Sequence, residues 1–187
     1  MSTAKQLYIY TEPTPNPQTL KFMIGQEISK KTYDFTSVDE AKDKSALVES
    51  ILGAEDITGV YVGRTFLTVS KSGLKHWDDY EDNLLKLIED YIQSGKPVVT
   101  EVNGAETVAK DLTEIEKQIV AILDDEIRPA VAMDGGDVIF KSYEDGIVYL
   151  QMIGSCAGCP SSTATLKMGI ETRIKEAIPT VTEVVAV

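Results

Sequence analysis

Cysteine and histidine are scarce in this chain. Its 187 residues hold two cysteines, Cys156 and Cys159, and one histidine, His76. A single histidine remote from any motif excludes a Ser–His–Asp set, and one chain cannot fill a four-ligand zinc site. Long apolar runs are also missing. No stretch approaches the about 18 apolar residues that would read as a membrane span. Few residues precede Leu7-Tyr8-Ile9-Tyr10, too few for a signal peptide or an Arg-rich transit peptide, so the expected location is cytoplasmic, in a reducing compartment. Positive charge is in deficit. Up to Pro97 there are 11 Lys and Arg against 15 Asp and Glu, and beyond it 7 against 15, for a net charge of −12. Phosphate backbones and anionic membranes select clustered Lys and Arg, so neither nucleic acid nor a membrane is an expected partner. There is no P-loop and no GxGxxG segment.

What is present is an ordinary globular composition, 43% hydrophobic and 26% charged. The patterning predicts an α+β protein of two small domains, residues 1–97 and 111–187, joined by a linker over 98–110 that contains Asn103-Gly104. In the first, Tyr8-Ile9-Tyr10 is strand-like. Pro13, Pro15 and Pro17 make the following stretch an extended loop. Strands are expected over 19–24 and 31–36, and a short helix over 45–52. A hairpin is expected over 57–70, turning on Gly63-Arg64 in type II′ geometry. A helix over 77–93 would bury Leu84, Leu87, Ile88, Tyr91 and Ile92.

The second domain reads α-β-β-α-β. Thr113 and Glu116 have capping-box spacing, and Leu112, Ile115, Ile119, Ile122, Leu123 and Ile127 mark the apolar face of a helix that frays near Arg128-Pro129. Met133-Asp134-Gly135-Gly136-Asp137 is a turn. Strands over 138–143 and 147–153 pair across Glu144-Asp145-Gly146. Pro160 opens a second helix, which buries Leu166, Ile170, Ile174 and Ile178 and ends at Pro179. A last strand covers 181–187. Met133, Met152 and Met168 read as core or near-core fillers.

Chemistry concentrates in Gly154-Ser155-Cys156-Ala157-Gly158-Cys159-Pro160, the loop between a strand and that helix. A two-residue gap lets both thiolates face one centre, and the helix start favours negative charge on sulfur. Spacing alone leaves several chemistries open: dithiol–disulfide exchange, a metal or cluster site, or an inert reduced pair. A cubane cluster needs four thiolates, which two chains about a two-fold axis would supply. Asp134 and Asp137 read as turn residues bonding their own backbone, Gly135 and Gly136 as allowing close packing under the cysteine loop, and His76 as a solvent-facing residue before a helix.

The stretch Gly154 to Ser162, followed by Thr165-Leu166 and a helix, resembles the C-terminal domain of NifU and the Nfu proteins. The upstream Met133 to Val138 segment resembles the same family's MDGGDV-like motif. Thr14-Pro15-Asn16-Pro17-Gln18-Thr19-Leu20-Lys21-Phe22, the segment Gly59 to Gly63 with Phe66 to Val69, and Trp77 resemble the Nfu N-terminal domain. This resemblance implies a non-enzymatic scaffold or carrier. Cys156 and Cys159 would be the iron ligands, with one [4Fe–4S] cluster per homodimer. The partners it implies are upstream cluster-assembly proteins and recipient apo iron–sulfur proteins. The extra cysteines of full-length NifU are missing, so no permanent ferredoxin-like cluster is expected. A thiol–disulfide oxidoreductase is the alternative.

Overall fold

Alternating apolar residues decide which face of the first sheet is buried. Leu20 and Phe22, Val60 and Val62, and Leu67 and Val69 each stand two apart and point to one side, where all are buried. The computed structural model describes residues 8–73, 75–100, 112–157 and 160–187, the side chains of 160–163 excepted. Its contacts divide the chain into two units, Met1–Val102 and Asn103–Val187.

In the first unit, β1 (Tyr10–Pro13), β2 (Thr19–Met23), β3 (Tyr33–Phe35), β4 (Ile57–Val62) and β5 (Phe66–Lys71) form an antiparallel sheet in the order β1-β2-β5-β4-β3. Two short helices, α1 (Val38–Ala41) and α2 (Ala46–Leu52), lie between β3 and β4, and α3 (Glu81–Gln93) follows a 3-10 turn at Trp77–Asp79. Leu47, Val48 and Ile51 of α2 and Leu84, Ile88 and Ile92 of α3 close the core over the sheet.

Several local expectations shift. The first strand begins where Tyr8-Ile9-Tyr10 was expected to end and runs into the proline-rich stretch, because β1 is an edge strand whose Pro13 needs no ladder partner on its outer side. The β4–β5 turn centres on Arg64-Thr65, with the Gly63 amide donating to the Phe66 carbonyl at 2.9 Å. Gly63 is not in the left-handed region that type II′ requires. Its lack of a side chain makes room for the Phe66 ring, which a Cβ there would meet at 2.7 Å. Residues 98–100, read as linker from sequence, pack on this unit. Val98 is buried in the core, its carbonyl accepts from the Ser45 hydroxyl, and the Thr100 amide donates to Lys44. The rest of the expected linker, 101–110, lies outside the described residues.

The second unit opens with α4 (Glu114–Ile122). Thr113 Oγ1 accepts from the Glu116 amide at 3.3 Å, and the Glu116 carboxylate accepts from the Thr113 amide at 2.8 Å, closing the expected capping box. The helix does not fray at Pro129. It passes through a π turn, Leu123–Ile127, into α5 (Arg128–Met133), and the Arg128 amide bonds back five residues to Leu123. Proline has no amide to give, and its ring collides with the carbonyl four residues earlier in a regular helix. The wider turn absorbs both.

Then β6 (Gly136–Glu144) and β7 (Ile147–Gly154) form a hairpin whose turn residues, Asp145 and Gly146, both have positive φ, 49° and 85°. Helix α6 (Pro160–Ala177) crosses over to β8 (Glu183–Ala186), which lies parallel to β7. Ile119, Leu123, Val138, Leu150, Ile170, Ile174 and Val184 form the core between helices and sheet. Met152 joins it, but Met133 and Met168 are 77% and 70% exposed. Met168 lies two residues from Leu166 and Ile170, which is the opposite side of α6 from the buried stripe.

Candidate functional site

The open end of the β6–β7 hairpin builds the cysteine loop. Gly136 pairs with Gly154 as the last rung of the ladder. Beyond that rung the chain turns at Gly154 (φ 65°), and the Ala157 amide donates back to the Gly154 carbonyl at 3.1 Å. On the facing strand, Gly135 (φ 82°) turns its carbonyl to the Ser155 amide at 3.2 Å. The buried Ser155 hydroxyl donates to the Asp134 carbonyl. The Met133–Val138 segment thus holds the cysteine loop through its backbone, as the two glycines suggested.

Cys156 is only 5% exposed and belongs to the core of this unit. Its thiol lies against Gly136. A methyl group placed on Gly136 would sit 2.6 Å from Cys156 Sγ, 2.7 Å from the Ile153 carbonyl oxygen and 3.0 Å from the Cys156 amide nitrogen. Only glycine fits that position as it stands. The Ser155 Oγ is 3.9 Å from the same sulfur. Cys159 lies outside the described residues. Pro160 begins α6.

Asp137 has a partner that the sequence did not reveal. Its buried carboxylate accepts from Arg128 Nε and Nη2, both at 2.8 Å, as well as from the Val138 amide. Arg128 also reaches Asp124 at 2.8 Å. The hydrogen bonds to Asp137, and after them those to Asp124, raise the arginine above its ordinary pKa and fix its charge. The backbone bond expected of Asp137 is present, but the larger role is to tie β6 to the π turn. Asp134 is exposed, and its backbone carbonyl accepts from Ser155. His76 is exposed before the 3-10 turn, as expected. Among the described residues no three His, Cys, Asp or Glu side chains gather as metal ligands.

Each of the two units matches a known family model. Residues 9–95 match the family model described as scaffold protein Nfu/NifU N terminal, and residues 119–185 match the NifU-like domain. The chain belongs to the Nfu/NifU-like family. One relative, from Drosophila willistoni, is named NFU1 iron-sulfur cluster scaffold homolog, mitochondrial. It is 40% identical over 96% of this chain and 63% of its own length. The counterpart in Drosophila ananassae is 38% identical over 98% of this chain and 65% of its own. The chain therefore spans less than two thirds of the curated relatives it matches. A solution structure of a NifU-like protein from Saccharomyces cerevisiae is 25% identical, with a TM-score of 0.47, over 54% of this chain and 91% of that one. Within the family, the match to the NifU-like domain contains both cysteines, the Gly135-Gly136 turn and Asp137.

Proposed function

We propose that the protein is an iron–sulfur cluster scaffold or carrier that holds a [4Fe–4S] cluster between two copies and passes it to apo-proteins. Cys156 and Cys159 of each copy would be the four ligands. The observation that carries this reading is a Cys-x-x-Cys pair, the chain's whole complement of thiols, on a loop fastened by the Met133–Val138 turn at the start of α6. The names of the relatives support it, since they are called iron–sulfur cluster scaffolds.

The cluster is cargo, and the donor set suits it. Thiolates are the usual cluster ligands, four are needed, and a two-fold pair of chains supplies them. Handover is ligand exchange without a redox step. A recipient thiolate forms a bond to one iron, the bond from that iron to Cys156 or Cys159 breaks, and the departing thiolate takes up a proton. Repetition around the cluster frees both copies. No catalysis is required of the chain. Its partners on this reading are upstream assembly proteins and recipient apo iron–sulfur proteins, with the first unit docking recipients or tuning oligomerisation. The compartment must keep thiols reduced. The relatives are named as mitochondrial, and the cytoplasm expected from sequence meets the same requirement. Among the described residues no helix is long and apolar enough to cross a membrane.

Anaerobic reconstitution with iron and sulfide tests the assignment. Visible absorption and native mass should show a brown dimer carrying one cluster. Cys156→Ala and Cys159→Ala should each abolish both the colour and the cluster-linked dimer. A colourless monomer with a redox-active disulfide would replace this reading with the oxidoreductase, and full iron content in either variant would overturn the ligand set.

A further inference from the structure

The seat of Cys156 is at odds with the task proposed for it. A cluster shared by two copies lies outside each of them, so every ligating sulfur must reach the surface. Cys156 instead points inward, 5% exposed, packed with Val138, Met152 and Ile170 in the core of its unit. Its sulfur occupies the space a side chain on Gly136 would fill. The loop that carries it turns at Gly154, where φ is 65°.

The geometry points to Cys156 as a retractable ligand, with Gly136 as the positioning residue that provides its docking seat. The inference rests on the carrier reading. The thiol leaves the seat to bind iron and returns to it on release. A retracted state that binds no iron shifts the balance toward release, because cargo can hold only the outward form. The vacancy over Gly136 thereby sets how readily the cluster is given up. On release the iron–sulfur bond to Cys156 breaks as the recipient's forms, and Cys156 is buried again as the neutral thiol.

Thiol alkylation of the full chain, mapped by mass spectrometry, tests this without any cargo. Cys156 in the unsubstituted protein should react with iodoacetamide at least about tenfold more slowly than in the urea-unfolded chain. Gly136→Ala fills the seat, its methyl also pressing on the Ile153 carbonyl, and should bring Cys156 close to the unfolded rate, with urea unfolding of the variant showing whether the unit still folds. Ser155→Ala, which releases the loop from Asp134 and spares both cysteines, should raise the rate in the same direction and decides the matter if the alanine at 136 prevents folding. Loaded Gly136→Ala should transfer its cluster to a thiol-rich acceptor more slowly. An unprotected Cys156 in the unsubstituted protein, or a folded Gly136→Ala in which it stays protected, overturns the inference. Protection of Cys156 in a chain that never takes up a cluster would instead sink the carrier reading and leave the seat intact.

Discussion

Arg128 and Asp137 bear on the site although neither is a candidate ligand. The aspartate is buried and the arginine is partly in water, so the pair holds a charged group inside the fold by two parallel hydrogen bonds. Asp137→Asn removes the charge that Arg128 was drawn in to meet. The second unit should lose about 1–3 kcal/mol, toward the lower end because the arginine is still solvated. Urea unfolding followed by circular dichroism should show its transition at lower urea, and an unmoved transition would reduce the pair to decoration. This partnership was not legible in the sequence. Nine positions separate the two residues, and the π turn that aims Arg128 at Asp137 follows from packing around Pro129 rather than from periodicity. The close packing of Gly136 under the cysteine loop was legible because it is local. Met133 and Met168 were misjudged for a different reason: hydrophobic identity was weighed above helical phase.

Elements were legible where a strong local rule applied. The Asp145-Gly146 turn, the Thr113–Glu116 box and Pro160 at a helix start each fix a boundary by sterics or by satisfying orphan amides. They were less legible where neighbours decide, as in β1 at a sheet edge and the 3-10 turn before α3. One clasp between elements has a pH signature. Glu171 on α6 accepts from Lys175 and from the Val184 amide of β8 at 3.1 Å, and these two bonds, the lysine's first, hold its carboxyl below the usual glutamate value of 4.5. A lowered carboxylate pKa contributes stability that is full above the unfolded value and is lost as pH falls through the folded one. Acid titration of the second unit should show that loss beginning near pH 4.5 and continuing below it. Glu171→Gln should flatten this limb, and an unchanged acid profile would detach the clasp from stability.

At the scale of the molecule, the α+β class and the two-unit plan follow from patterning, since period-2 and period-3.6 stretches alternate along both halves. The sequence placed the end of the first unit at Pro97, but Val98 lies in that unit's core and the division falls after Val102. A fragment of residues 103–187 should therefore bind the cluster as the full chain does, whereas its transfer rate or choice of recipient should change. Failure of the fragment to assemble a cluster, with the full chain succeeding, would show that the first unit helps build the site.

The β6–β7 hairpin also has an order of assembly. Its two-residue turn brings Glu144 against Ile147 at almost no loop-closure cost, and pairing then zips toward Gly136 and Gly154. The cysteine loop hangs on the rung that closes last, and that end of the hairpin is buried whereas the turn end is more exposed. The loop therefore takes its shape only as the core of the unit closes around it.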